Sequence, residues 1–257
     1  MIAVAVQGAF VIRLAADITL TRMNDVTSNK TILGIGRNRT IFGGGLRLKG
    51  VRNVIIRNIY FHDWDDDAIC VESSSNVLID HNTFDHGHDG CVDIKRGSDF
   101  VTVSWNLFLN HSKTSLVGHA DNFTAIDGEK LKVTFHHNWF CGTRSRHPRV
   151  RIGNPVHVFN NYFLNNELYG VASTEGGGVL VEGNYFENVD TPFVVEYGDS
   201  GPGFIVAINN VFVKSGTGTI SGSVAPILYS YILDDAINVK RIVMDGAGAA
   251  LLTIQTT

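Results

Sequence analysis

Proline is scarce in this chain, five residues against 27 glycines, and no proline-rich or collagen-like period can be built from it. Cysteine is scarcer still. Three residues, Cys70, Cys91 and Cys141, leave at least one thiol unpaired, so they form no disulfide framework, and their spacing is not that of a zinc site. Cys70 and Cys91 are 21 residues apart, which leaves a disulfide and two neighbouring thiols both open. An excess of basic charge is also missing: the formal net charge is −4, and no global positive field exists to hold nucleic acid or an anionic membrane. The apolar run MIAVAVQGAFVI at the N-terminus has no positively charged lead and is too short to span a bilayer. It reads as a first strand of a mature or truncated chain.

What the chain has is repetition. An Asn-X-Phe signature recurs as NTF (82–84), NLF (106–108), NWF (138–140), NYF (161–163), NYF (184–186) and NVF (210–212), with IYF (59–61) ahead of them carrying Ile59 in the asparagine position. The phenylalanines Phe61, Phe84, Phe108, Phe140, Phe163, Phe186 and Phe212 follow one another at intervals of 23, 24, 32, 23, 23 and 26 residues. Such a unit is too short for two helices and suits three short strands with three turns, one coil of a parallel β-helix. Stacking coils about 4.8 Å apart would bring the phenylalanines into an interior column. The asparagines would bond from coil to coil and satisfy polar groups in a bend. The runs 53–59, 76–82, 100–106 and 131–138 alternate as strands do. The expected architecture is an all-β, right-handed parallel β-helix of seven to eight coils, with residues 1–257 as a single domain. The interval of 32 implies about eight extra residues in a loop, and loops inserted on one side of a solenoid commonly build its binding face. The segment 227–243 lacks the signature and reads as a short helix capping the end of the stack.

Counting from the ladder phenylalanines exposes a candidate site. Five or six residues after four consecutive ones stand Asp67, Asp89, Lys113 and Arg146. Stacked coils would align these in one column about 15 Å long, carboxylates at one end and cations at the other. Asp93, Arg151 and Asp65 thicken it. For any one residue, solvated surface decoration is the plainer reading; four in register argue for a site. Three converging carboxylates repel unless protons or a cation neutralise them. Hard oxygen donors in irregular geometry suit Ca²⁺ better than Mg²⁺ or zinc.

At these residues the sequence resembles the pectate lyase family. The runs that carry the resemblance are SNKTILGIG (28–36), NVIIRNI (53–59), NVLIDHNTF (76–84), DGCVDIKRGSDFVTVSWN (89–106), NHSKTSLVGH (110–119) and RSRHPRVR (144–151). The resemblance implies Asp67, Asp89 and Asp93 as calcium ligands, with Asp65 assisting in some members. It implies Arg146 as the catalytic base, and Lys113 and Arg151 as binders of substrate carboxylates. It further implies a secreted monomer acting on polygalacturonate, with no nucleic-acid or membrane partner. Leu78 stands where the family usually has Trp. Asp80 and His81 form an inviting pair, yet they sit beside the asparagine ladder and read as structural.

The implied reaction is β-elimination, giving 4,5-unsaturated oligogalacturonides. A pectin lyase, a hydrolase on the same fold with two carboxylates about 5–10 Å apart and a non-catalytic saccharide-binding β-helix are the rivals. The acidic cluster speaks against the first. Lys113 and Arg146 beside the carboxylates speak against the second.

Overall fold

Strand alternation in the sequence places Val54 and Ile56, Val77 and Ile79, and Val101 and Val103 on one face, and these positions are buried. Each coil supplies three such short strands. In the computed structural model, which describes residues 3–37 and 39–249, like strands stack in parallel into three sheets of nine, nine and eight strands. The first sheet runs from Phe10–Leu14 to Phe204–Ile208, the second from Ile18–Thr19 to Val211–Val213, and the third from Asn24–Val26 to Phe193–Val194. The expected seven to eight coils undercount a stack of about nine. The two leading coils escape the Asn-X-Phe signature because Ile18 and Ile41 take the phenylalanine's place in register with Phe61.

The phenylalanine column is continuous from Phe61 to Phe212, with successive ring centroids 5.2, 5.1, 4.9, 5.0, 4.3 and 5.4 Å apart and near-parallel planes. Beside it the asparagine ladder runs from amide to amide. Asn82, Asn106, Asn138, Asn161 and Asn184 each donate through Nδ2 to Oδ1 of the next, at 2.9–3.1 Å, ending on Asn210. The same Oδ1 accepts the backbone N–H one coil below, so one side chain satisfies two donors of the bend. The turn has a fixed recipe: the residue before each ladder position is left-handed, as at Asn58, His81, Trp105, His137, Asn160, Gly183 and Asn209. A left-handed backbone is unfavourable for a residue with a Cβ. The ladder bonds and the packed ring beside them hold it in place.

Two expectations about the periphery change, and one left open is decided. The N-terminal run is not one strand: a turn at Ala3–Ala5 tucks Val4 into the core, and the strand begins at Phe10. The C-terminal helix exists, at Ala236–Gly246, but it does not cap the stack. Its buried face of Ala236, Val239 and Val243 lies against the outside of the second sheet, over Tyr162, Trp139, Leu164 and Tyr185. The strap leading to it crosses the first sheet, pinned where Tyr229 Oη meets Thr134 Oγ1 and His157 Nδ1, both at 2.7 Å, and where Asp234 Oδ2 meets His137 Nε2 at 2.8 Å. The cysteines are free thiols: Cys70 and Cys91 are buried and Cys141 is half-buried.

Candidate active site

The third sheet alternates like the others, with Val92, Ile94, Val117 and Val150 in the core. Their neighbours therefore face outward in two columns. The register gives the first as Arg47, Cys70, Asp93, Leu116, Arg149 and Ala172, and the second as Lys49, Glu72, Lys95, Gly118, Arg151 and Thr174. These columns are the floor of a groove. One wall is the series of turns that enter this sheet from the second sheet. Each begins with a left-handed residue two positions after the ladder phenylalanine, as at Asp63, His86, Asn110, Gly142 and Asn165.

Those turns carry Asp67, Asp89, Lys113 and Arg146. Asp89 lies between two cations, with Lys113 Nζ at 3.2 Å and Arg146 Nη1 at 3.6 Å from its Oδ1. Strict columnar alignment fails by one residue: Lys113 bridges to Ser145 rather than Arg146, because the count from the phenylalanine is five in one coil and six in the next. Both cations still converge on Asp89, since their side chains are long enough to absorb the slip. The turn that offers Asp89 is held from behind. His111 Nε2 lies 2.6 Å from the Asp89 carbonyl, Trp64 Nε1 donates to the same oxygen at 3.3 Å, and the Trp64 and His111 rings meet edge to face.

Asp67 and Asp93 sit deeper, 4% and 3% exposed. The N–H of Gly90 donates to Asp67 Oδ1 at 3.0 Å, and that of Leu116 to Asp93 Oδ1 at 3.0 Å. Gly90 is needed in the gap: a Cβ there would run into Asp93 Oδ1 and lie 3.0 Å from Asp67 Oδ1. Burial, and then the charge of Asp67, push the Asp93 carboxyl up to about 7; burial raises Asp67 as well, with Lys95 acting against it. Lys95 places Nζ 3.1 Å from Asp67 and 3.8 Å from Asp93. Burial works against its charge, but Asp93 and Asp67 outweigh burial and hold it protonated.

Lys95 is the functional residue the sequence reasoning passed over. The signal was there, two residues after Asp93 on an alternating strand and hence on the same face. Arg149 was missed in the same way, two before Arg151. Its guanidinium stacks on Tyr197 at 5.1 Å and donates to the Tyr197 carbonyl and Ser200 Oγ. Arg151 donates through Nε to Asp121 at 2.6 Å, so it reaches the inserted loop and does not join the Asp89 cluster. Asp65 is exposed at the rim. Asp80 and His81 lie on the first sheet, away from the groove. Asp80 is enclosed by Arg57, His81 and Ser104 at 2.9, 2.7 and 2.7 Å, beside the ladder.

The donors suit a hard cation in kind: three carboxylates, two of them buried beside Lys95, and an Asp89 Oδ1 that makes ion pairs but no well-directed hydrogen bond. Among the described residues, no three carboxylate, imidazole or thiol groups close on one point tightly enough to hold a metal as they stand. Lys95 occupies the space between two of them.

Fold and site together are those of a parallel β-helix with a charged groove across its third sheet. The comparisons with known proteins are specific. The pectate lyase sequence profile matches residues 11–251. A pectate trisaccharide-lyase of Bacillus licheniformis is 38% identical over 86% of this chain and 67% of its own, and pectate lyase A of Emericella nidulans 39% identical over 88% and 71%. The solved structure of a pectate lyase from Bacillus sp. N165 in complex with trigalacturonate superposes with a TM-score of 0.86, at 32% identity, over 95% of this chain and 86% of that one. The chain belongs to the pectate lyase family.

Proposed function

We propose that this lyase cleaves polygalacturonate by β-elimination at the Asp89–Lys113–Arg146 cluster, with calcium held beside it by Asp67, Asp89 and Asp93. The observation that carries this reading is the meeting of two cations on one half-exposed carboxylate, next to a buried acidic pair, in an open groove. A galacturonate carboxylate placed near Asp89 would find Lys113 and Arg146 already within reach. When bound, the ion would supply positive charge where negative charge develops on that carboxylate.

In the step proposed for Arg146, the guanidinium first gives up a proton to hydroxide; the neutral guanidine nitrogen then takes the proton from C5, whose electron pair is left to form the C4–C5 double bond. The C4–O4 bond then breaks. O4 departs with the neighbouring sugar and takes a proton from water, becoming the hydroxyl of a new reducing end. Lys113 binds the carboxylate on which charge grows, and Arg151 binds another along the chain. Lys95 lies between Asp67 and Asp93 and offsets part of their charge. Asp65, at the rim, is placed to add a carboxylate for further calcium. Asp89 is engaged by two cations rather than poised to donate a proton, which disfavours a hydrolase. A polymeric substrate of this size supports a secreted enzyme. The chain acts as a single β-helix domain and a monomer in this reading.

The test is absorbance of the unsaturated product from polygalacturonate, with and without chelator. Cleavage should stop in EDTA and return with calcium, and Asp89→Ala should weaken both activity and its calcium dependence. Undiminished cleavage in chelator would sink the metal assignment. Reducing ends without absorbance would point to a hydrolase.

A further inference from the structure

The two ends of the groove floor differ. At the Arg47 and Lys49 end the outward side chains are open: Arg47 is 41% exposed and Lys49 is exposed. At the other end Ala172 and Thr174 face outward in register with Arg149 and Arg151, yet both are 0% exposed. Something covers them. The cover is the segment 195–202, which follows the last strand of the third sheet and doubles back over the strand Val171–Thr174.

Its contacts show that it crosses the whole width of the sheet. Tyr197 meets Tyr169 edge to face, on the side where the strand begins, with ring centroids 4.8 Å apart. Pro202 bridges to Thr174, and the Glu175 N–H donates to the Gly201 carbonyl, on the side where the strand ends. Between them the segment rests on Arg149, through the Tyr197 carbonyl at 3.0 Å and Ser200 Oγ at 2.8 Å. Asp121, from the inserted loop on the far wall, closes the junction. It accepts from Ser200 Oγ through both carboxylate oxygens at 3.0 Å and from Arg151 Nε at 2.6 Å. Buried side chains, ring contacts and charge-assisted bonds together make this a built barrier.

From these contacts we infer that the groove is closed at the Arg149 end by Tyr197, Ser200 and Asp121, so that the enzyme receives an end of the galacturonate chain and measures its cut from there. This rests on the lyase reading above. A polymer lying along the floor passes Asp93 and Lys95 and meets the barrier where it rests on Arg149, two coils beyond Asp93 and about 10 Å away. That space takes a few sugars and no more. A chain that cannot pass through must present its end, and fragments of one length follow.

The experiment is digestion of polygalacturonate, followed at once by product absorbance, oligomer chromatography and viscosity from the first bonds cut. One short unsaturated oligomer should dominate from the start, with viscosity falling slowly for the bonds broken. A broad ladder of lengths with rapid loss of viscosity overturns the inference and leaves the lyase reading standing, whereas absence of absorbance overturns both. The paired variant Tyr197→Gly/Ser200→Ala, checked for native circular dichroism, should shift the products from one length to several. An unchanged single product from the folded variant would remove these residues from the role. Should the variant not fold, the wild-type profile alone decides.

Discussion

The turns that leave the first sheet and those that leave the second are built on the same device, a left-handed residue at a fixed count from the ladder, yet their contents differ. The first set is uniform, asparagine after asparagine from Asn82 to Asn210. The second carries Asp67, Asp89, Lys113 and Arg146 in successive coils, two carboxylates followed by two different cations. A turn whose side chain points inward between coils must answer the same need every time, namely two backbone donors and an amide neighbour. A turn that borders the groove is free of that need, and what it presents is set by the ligand. Repetition therefore marks what holds the fold, and variation at a constant register marks what touches the substrate.

The contrast can be broken from either side. Removing one ring from the inner column, Phe163→Ala, should have the largest effect on stability, about 3–5 kcal/mol by denaturant titration, through lost contacts and the cavity left behind. Arg146→Lys belongs to the other side. It keeps the charge but moves the reacting nitrogen and loses the planar guanidinium. Its kcat should fall by at least about 10²-fold, equivalent to roughly 2.7 kcal/mol of barrier, with little change in KM or in the unfolding midpoint. A variant retaining a large share of wild-type kcat at saturating substrate would make Arg146 a clamp rather than a base.

Asn161→Ala should cost about 1–3 kcal/mol, since it leaves the N–H and amide of Asn138 without their acceptor in a buried bend. Asn161→Asp should cost more, since it replaces the Nδ2 donor that meets the carbonyls of Phe135 and Phe159 and Oδ1 of Asn184 with a buried carboxylate oxygen. Equal losses for the two would contradict the ladder's role as donor relay. The smallest effect is graded by pH. His147, between Arg146 and the floor arginines, is wholly buried against Phe140, and burial pushes its imidazole down to about 4; burial does the same to His136. In the unfolded chain both take up protons near pH 6.5, so between about 6.5 and 4 the unfolded state binds more protons and stability falls with falling pH. The slope should reach up to about 1.4 kcal/mol per pH unit for each group, while Asp93, raised to about 7 in the fold, acts with the opposite sign over the same window. The histidine slope is therefore read in an Asp93→Asn variant, where urea titrations that give the same stability at pH 7 and pH 5 would contradict it.

By itself the sequence determined the coil. Its period, the alternation around Val77 and Ile79, and the recurrence of asparagine and phenylalanine are local and repeated, so each copy reinforces the others. The order of charged residues was legible for the same reason, because a solenoid converts a constant count along the chain into neighbourhood in space. Non-repeating contacts were decided only by the tertiary structure. Whether Asp67 and Asp93 stand as bare anions or are countered by Lys95 depends on three side chains meeting across two coils. The helix at Ala236–Gly246 carries no mark of whether it caps the stack or lies along it; that choice rests on Asp234 reaching His137 and on an apolar face matched to Tyr162 and Trp139. Nor does any pattern join Tyr197 to Arg149 or Ser200 to Asp121, pairs 48 and 79 residues apart that occur once each. Periodic interactions can be read from one dimension because translation along the stack is their geometry, while a single crossing of the groove exists only where the folded surfaces bring its residues together.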